Sequence, residues 1–562
     1  MNPDREPALG RPKRRTARIV AIGVGLAVAA YVGLYFFANA QLRNLLPTAV
    51  ATAVGGEDSQ RYVVTVGTVR LSPWLGGLTV RDLAIAVDSA AAAGAAEPAL
   101  VRSASVRSFR VSGIQLIPLI RGKGIFISSI EIDRPTAELH FPAPAETDPP
   151  DVQEPSAEEA TEEAGGFQPP TAILQRIRIT DASVGLTRET GFGTARSVLH
   201  GLDIELTDIR IDSVSATNPA RALANSRVRI AFDSAAHLLD DSLYVIDVAR
   251  LRADSRDSVV EIGAFRLTPT LEAAPFFRRL SQRADRLNIS TGPIRLEGLD
   301  FRRYFAEDAL RVRLIDVDSL DLHVYADIQI PWGPRARPCR YHMGFATVEV
   351  PFAIDTIRLE DSRIRYSELS KGSVRPGELT LEELNGVVVN LTNDPEKMTH
   401  ETPAVAHVTA KLFGEGAVEA TVAYPLLSKT LDFSVEASLG PMNMPTFNQF
   451  ASNVAGVEIK KGRLDSLWFR TESRGGRAGG RVHMRYRDLD FRIFDKKSGK
   501  EMPWHTVAGF LGNLVVRSNN PGKPGQAPRD GKIGYTCGKN DIVFFEYLVG
   551  ALASALKGIV IG

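Results

Sequence analysis

Short runs in which apolar and polar residues alternate recur along most of this chain, and they predict a mainly β protein. Tyr62–Val69 (YVVTVGTV) and Gly77–Val87 (GLTVRDLAIAV) are rich in β-branched residues and are separated by Pro73 and Gly76-Gly77. That pattern predicts two strands joined by a hairpin. A longer phrase then occurs three times, as Ile127–Phe141, Leu174–Arg188 and Ile354–Tyr366. Each copy has apolar residues two apart, a short polar break holding Asp or Pro, and a second alternating run. Side chains on a strand alternate sides with period two, so each run presents one apolar and one polar face. The apolar positions are Ile130 and Ile132 in the first copy, Ile177, Ile179, Val184 and Leu186 in the second, and Ile357, Leu359, Ile364 and Tyr366 in the third. Leu320, Leu322 and Val324 form a further run of the same kind, as do Leu202/Ile204/Leu206 and Val482/Met484/Tyr486. The spacing between copies is irregular, which excludes a fixed-period solenoid.

Three segments depart from this rhythm. Ile19–Ala38 is a charge-free apolar stretch long enough to cross about 30 Å of hydrocarbon as a helix, and the anchor is placed at 19–40. Arg14, Arg15 and Arg18 precede it and few basic residues follow, so residues 1–18 are expected on the cytoplasmic side and the rest beyond the membrane. A cleaved signal peptide is the competing reading, because Ala38-Asn39-Ala40 has suitable small-residue spacing. Leu42–Val54 is expected to leave the bilayer as a short interfacial helix. Residues 142–170 are rich in Glu, Asp and Pro without a basic residue and are expected to be disordered. Leu271–Leu287 has helical character, and residues 542–562 predict a C-terminal apolar helix. That helix either packs on the end of the sheet, lies in a membrane surface, or crosses a second time.

Charge and composition narrow the function. Among 562 residues, Lys plus Arg number 67 against 66 acidic residues, with no basic block beyond the membrane flank. The electrostatic footprint expected of a nucleic-acid binder is missing. The two cysteines, Cys339 and Cys537, leave pairing open.

Catalytic signatures fail one by one. Gly525 to Gly531-Lys532 has one residue too many for a phosphate loop and places Ile533 where a hydroxyl is needed, so it reads as a plain Gly/Pro loop. No Gly-x-Ser-x-Gly elbow or His-Glu-x-x-His motif occurs. Cys339 and His342 are two ligand types without the two further partners a zinc site needs, and Gly191-x-Gly193 lacks its third glycine. No catalytic residue, metal or cofactor is assigned, and an enzymatic role is not expected.

The apolar segment at 19–40, the early phrases Val66–Ser72 and Gly77–Leu83, and the repeated Ile-x-x-Ile-x-Ile-x-Asp pattern together resemble the AsmA-like family of bacterial envelope proteins. Tyr486–Leu489, Asn513–Pro521, Phe544–Tyr547 and Leu556–Gly558 look like the ending of related large envelope proteins. The resemblance implies an inner-membrane anchor and an elongated, U-shaped antiparallel β-groove over 41–541 in the periplasm. It also implies phospholipid as cargo and outer-membrane or periplasmic proteins as partners. With some 28 strands at about 4.8 Å, such a groove reaches about 135 Å before twist shortens it. The ten apolar positions of the three phrases, with Leu320, Leu322 and Val324, are the thirteen candidate lipid-lining residues. Two alternatives stay open. The same alternation suits the inner faces of closed sandwiches, and an anchored protein assisting outer-membrane protein assembly has the same outline.

Overall fold

Strand follows strand through most of the molecule because β-branched and aromatic residues recur at period two, with turn residues between them. The computed structural model describes residues 35, 37, 39–54, 56–72, 76–88, 100–115, 124–142, 172–211, 219–239, 241–333, 348–428, 430–502, 517–538 and 544–561. The anchor core before residue 35, its flank Arg14, Arg15 and Arg18, most of the acidic stretch, and Cys339 with His342 lie outside them. Cys537 is disulfide-bonded, a pairing that sequence left open. Among the described residues no helix is long and apolar enough to cross a membrane. Residues 39–54 form helix α1, followed by a 3-10 turn at Gly56–Arg61.

The chain divides into two compact units, the first drawn mainly from residues up to 142 with 148–186 and 205–216, the second from most of the rest. In the first, β1 (Tyr62–Leu71), β2 (Gly77–Val87), β3 (Val101–Ser112) and β4 (Ile125–Phe141) pair antiparallel in sequence order. Asn39 of α1 accepts from the Leu71 amide at 2.8 Å, and Tyr35 donates to the Leu71 carbonyl at 2.9 Å, so α1 is tied to the end of β1. The boundary between the units falls within β5 (Ala172–Thr190) and β6 (Gly193–Ile211).

The second unit continues after a short helix α2 (Pro219–Ala224) with β7 (Arg227–Leu238), β8 (Tyr244–Asp254) and β9 (Val259–Pro269), again an antiparallel meander. Helix α3 (Ala273–Arg278) follows; β9 then pairs with both β10 (Arg286–Ser290) and β11 (Ile294–Glu297), so these act as two halves of one strand. After α4 (Phe301–Glu307), β12 (Leu310–Asp318) and β13 (Asp321–Asp327) form another broken strand, and both lie against β14 (Phe352–Leu369). These two pairings are parallel, which corrects the purely antiparallel expectation; alternation reports which face is apolar and says nothing about strand direction. Antiparallel pairing resumes through β15 (Gly377–Thr392), β16 (Ala404–Leu412), β17 (Gly416–Tyr424) and β18 (Phe433–Leu439). The two-residue β19 (Met442–Asn443) and helix α5 (Asn448–Ala455) lead to β20 (Val457–Arg474), β21 (Arg477–Ile493), β22 (Asp530–Thr536) and helix α6 (Phe544–Val560). β18 and β19 both pair with β20, which pairs in turn with β21 and then β22.

Two sequence expectations change. The helix expected over 271–287 is confined to Ala273–Arg278, because Leu287 and Ile289 pair with Val324 and Leu322 as strand residues. The Gly/Pro loop expected up to Lys532 ends sooner, since Gly531 and Lys532 belong to β22.

The polar break in each repeated phrase proves to be no turn. Ile127–Phe141 lies within β4, Leu174–Arg188 within β5 and Ile354–Tyr366 within β14. At the break one residue takes left-handed backbone inside a continuous strand: Arg134 (φ 48°), Asp181 (φ 53°) and Asp361 (φ 43°). Asp82, Asp208, Arg250, Glu383 and Asp488 do the same in β2, β6, β8, β15 and β21. The extra residue shifts the alternation by one, so apolar residues three apart stay on one side: Val80 and Leu83, Ile179 and Ala182, Val248 and Leu251, Leu381 and Leu384. Neighbouring strands step at the same row. Val66 pairs with Leu83 and Val69 with Val80, while Phe232 pairs with Leu251 and Ala235 with Val248. The result within each unit is a crease. Glycine serves where a neighbour's side chain lies on the row: a Cβ on Gly263 would come 2.7 Å from Arg250 Nε.

Candidate functional site: an apolar ladder across the sheet

Residues directly opposite each other on paired strands project from the same side of a sheet, so the pairings define rows. In the second unit one row passes through Val260, Leu296, Ile315 and Ile357 to Val388, Ala406, Val422 and Val435. The next passes through Leu251, Ile262, Ile294, Val317 and Leu359 to Gly386 and Val408. Beyond the crease, Ile289, Leu322, Ile364, Leu381 and Leu412 continue on the same side. Three apolar rows therefore cross strand after strand, the second of them interrupted at Gly386. In the first unit Val69, Val80, Phe109 and Ile132 form one row, and Leu71, Leu78, Val111 and Ile130 another.

The opposite side is polar and carries ion pairs between neighbouring strands. Arg358 Nη1 lies 3.1 Å from Asp316 Oδ1, Arg295 bridges Glu261 and Glu297, and Arg313 also reaches Glu297. Hydrogen bonds from Arg295 and Arg313 hold the Glu297 carboxyl below its usual range. In the first unit a polar cleft of about 770 Å³ on this side sets Arg81, Arg107 and Arg178 among Asp82, Glu131 and Asp133.

Cover over the apolar side of the second unit is uneven. At its C-terminal end α6 lies on β21 and β22, turning Tyr547, Ala551, Ala555 and Ile559 inward from one stripe. Phe433 meets the rings of Phe544 and Tyr547 at 4.9 and 5.7 Å, and Val482 and Ile533 beneath are 0% and 1% exposed. Gly531 permits this approach, since a Cβ there would stand 2.5 Å from the Ala555 carbonyl oxygen. α6 therefore packs on the end of the sheet, one of the three roles the sequence allowed. On β14 and β15 the cover is partial: α5 contacts both strands, and its Phe450 ring stands 6.3 Å from that of Tyr366. All thirteen sequence-predicted lining residues (Ile130, Ile132, Ile177, Ile179, Val184, Leu186, Leu320, Leu322, Val324, Ile357, Leu359, Ile364 and Tyr366) are only half-buried. The rows bring Ile357, Leu359, Ile364 and Tyr366 together with Leu322 and Val324 in the second unit, and Ile130 with Ile132 in the first. A depression of about 350 Å³ near the row through Leu359 opens on the polar side instead, lined by Arg358, Glu360, His407, Glu419 and Thr421 among others.

The chain matches no family model and no curated protein sequence.

A group of charges that sequence reasoning missed sits at the end of the ladder. Tyr366 pairs with Val324 and Leu379, and its hydroxyl donates at 2.9 Å to Glu368, two residues further along β14. Arg283, in the loop between α3 and β10, has a side chain 5% exposed; it donates to Glu546 Oε1 of α6 at 2.9 Å and lies 4.4 Å above the Trp332 ring. Burial pushes the Asp285 and Glu368 carboxyls above their usual range and the Lys496 ammonium below its own. Nothing in the sequence marks these charges as buried: Arg283 and Asp285 stand in a stretch that reads as helical, and Glu368, Lys496 and Glu546 lie far from it along the chain. Among the described residues no cluster of three or more His, Cys, Asp or Glu has a metal-binding arrangement.

Proposed function

We propose that this chain is an AsmA-like envelope protein, anchored in the bacterial inner membrane through residues 19–40, that binds lipid acyl chains along the apolar side of its sheet. In this reading the body lies in the periplasm as an open β-groove and takes part in phospholipid transport to the outer membrane. The observation that carries the proposal is the partial exposure of the apolar side chains in these rows from β8 to β15, beside the dry packing under α6. An isolated apolar side chain at a surface means little, whereas contiguous rows of them mark an interaction site. Each acyl CH₂ removed from water contributes about 0.8 kcal/mol, so a chain lying over several rungs is held strongly. Successive rungs about 4.8 Å apart offer similar surface, and movement from one to the next is nearly level in energy.

The test is native mass spectrometry of the full chain purified in mild detergent, followed by transfer of a fluorescent phospholipid between vesicles. Stoichiometric bound phospholipid and protein-dependent transfer are expected. Co-purifying polypeptide with no bound lipid would overturn the proposal in favour of a role in outer-membrane protein assembly.

A further inference from the structure

Three buried polar atoms beside the ladder lack a hydrogen-bond partner among the described residues: Arg283 Nε, Asp285 Oδ1 and Glu546 Oε2. Leaving such atoms unpaired forfeits their hydration without return, most of all when the group is charged, and native interiors rarely tolerate it. They belong to one neighbourhood. Arg283 bonds Glu546, and the charges of both act on Asp285 and Glu368. The inventory is specific: one guanidinium N–H requires an acceptor, and two carboxylate oxygens require donors.

We propose that Arg283, Asp285 and Glu546 receive the headgroup of a phospholipid bearing a primary ammonium, with its phosphate on Arg283 and its ammonium between the two carboxylates. The inference rests on the lipid-binding reading above and names the cargo class. A phosphoethanolamine group supplies both kinds of partner. An anionic headgroup satisfies Arg283 alone and sets its charge against Asp285, Glu368 and Glu546. A quaternary ammonium has no N–H for the carboxylates. Position agrees with chemistry, because Tyr366 stands in the apolar row Leu287, Val324, Tyr366, Leu379 and its hydroxyl bonds Glu368 of the charged group, two residues further along β14. Acyl chains on the rungs thus place their polar end here. Burial raises the carboxyls of Asp285 and Glu368, and an ammonium beside them would favour their charged forms.

The test loads the full chain in detergent with equimolar phosphatidylethanolamine, phosphatidylcholine and phosphatidylglycerol of identical acyl chains and reads bound lipid by native mass spectrometry. At least about fivefold enrichment of the ethanolamine lipid is expected, about 1 kcal/mol of discrimination. Asp285→Asn and Glu546→Gln, which keep side-chain shape, should each return the bound lipid to the ratio of the mixture while total lipid stays unchanged. Mono- and dimethylated ethanolamine lipids, tested on the unaltered protein, should lose enrichment stepwise as N–H donors are removed. Equal loading of the three lipids, unchanged preference in both variants, or indifference to methylation would overturn the headgroup assignment and leave acyl-chain binding standing. Complete absence of bound lipid would overturn both.

Discussion

Asp181 and Asp361 hold the same place in their strands: each is the eighth residue of its phrase, counted from Leu174 and Ile354, and each takes left-handed backbone, at φ 53° and 43°. Arg134 is the eighth residue counted from Ile127, at φ 48°. The phrase therefore encodes a step in a strand rather than a turn between strands. Left-handed backbone costs an ordinary L-residue about 1–2 kcal/mol, and Asp and Asn tolerate it best because their short polar side chains bond locally.

The step supplies the first prediction. Asp361→Asn should change stability by less than about 0.5 kcal/mol, and Asp361→Val should cost about 2 kcal/mol because a β-branched side chain crowds the left-handed backbone. Denaturant midpoints of the two variants measure this. Equal stability of the valine and asparagine forms would show that the step places no demand on residue type.

A second prediction separates open rungs from closed ones. Leu359 is half-buried on the uncovered rows, and Val482 is fully buried beneath α6. Leu359→Glu should leave a folded protein, lowering stability by about 1–2 kcal/mol, and should cut phospholipid binding at least about tenfold. Val482→Glu buries an unpaired charge and should prevent folding, a loss of more than about 4 kcal/mol. Circular dichroism with a lipid-binding assay reads both. Were Leu359→Glu to unfold the protein as Val482→Glu does, the rows would be sealed.

The third concerns acidity. Burial raises the Glu368 carboxyl, so the folded state holds its proton more readily than the unfolded chain does. For an acid shifted upward, the destabilisation is absent below the ordinary value of about 4.3 and fully present above the raised one. Stability should therefore rise as pH falls through that window. Glu368→Gln should flatten the slope, and Asp285→Asn added to it should flatten it further, since Asp285 is shifted the same way. Thermal unfolding across mildly acidic pH provides the comparison, and parallel profiles for the two proteins would rule the effect out.

Much of the sheet was readable from alternation alone. Hairpin strands expected at 62–69 and 77–87 are β1 at 62–71 and β2 at 77–87, and the thirteen apolar positions all fall on strands or, for Leu320, between the halves of one. The step residues escaped because a polar pair such as Thr180-Asp181 looks like a turn unless the shift from Ile179 to Ala182 is followed across it. Spacing of three between apolar residues, in a strand otherwise spaced by two, was the available signal. The parallel pairing of β14 with β12 and β13 left none, since period two is blind to direction. Nor did the burial of Arg283, which depends on Glu546 lying 263 positions away.

What the crease demands of each strand is a count of residues, with nearly free choice of identity. Any oily side chain serves on a rung, and Asp, Arg or Glu can sit at the fold line, provided the numbering slips by one at the right place. Two proteins could thus diverge until almost no aligned letter agreed and still build the same pleated ramp, their kinship surviving in arithmetic after it had vanished from spelling.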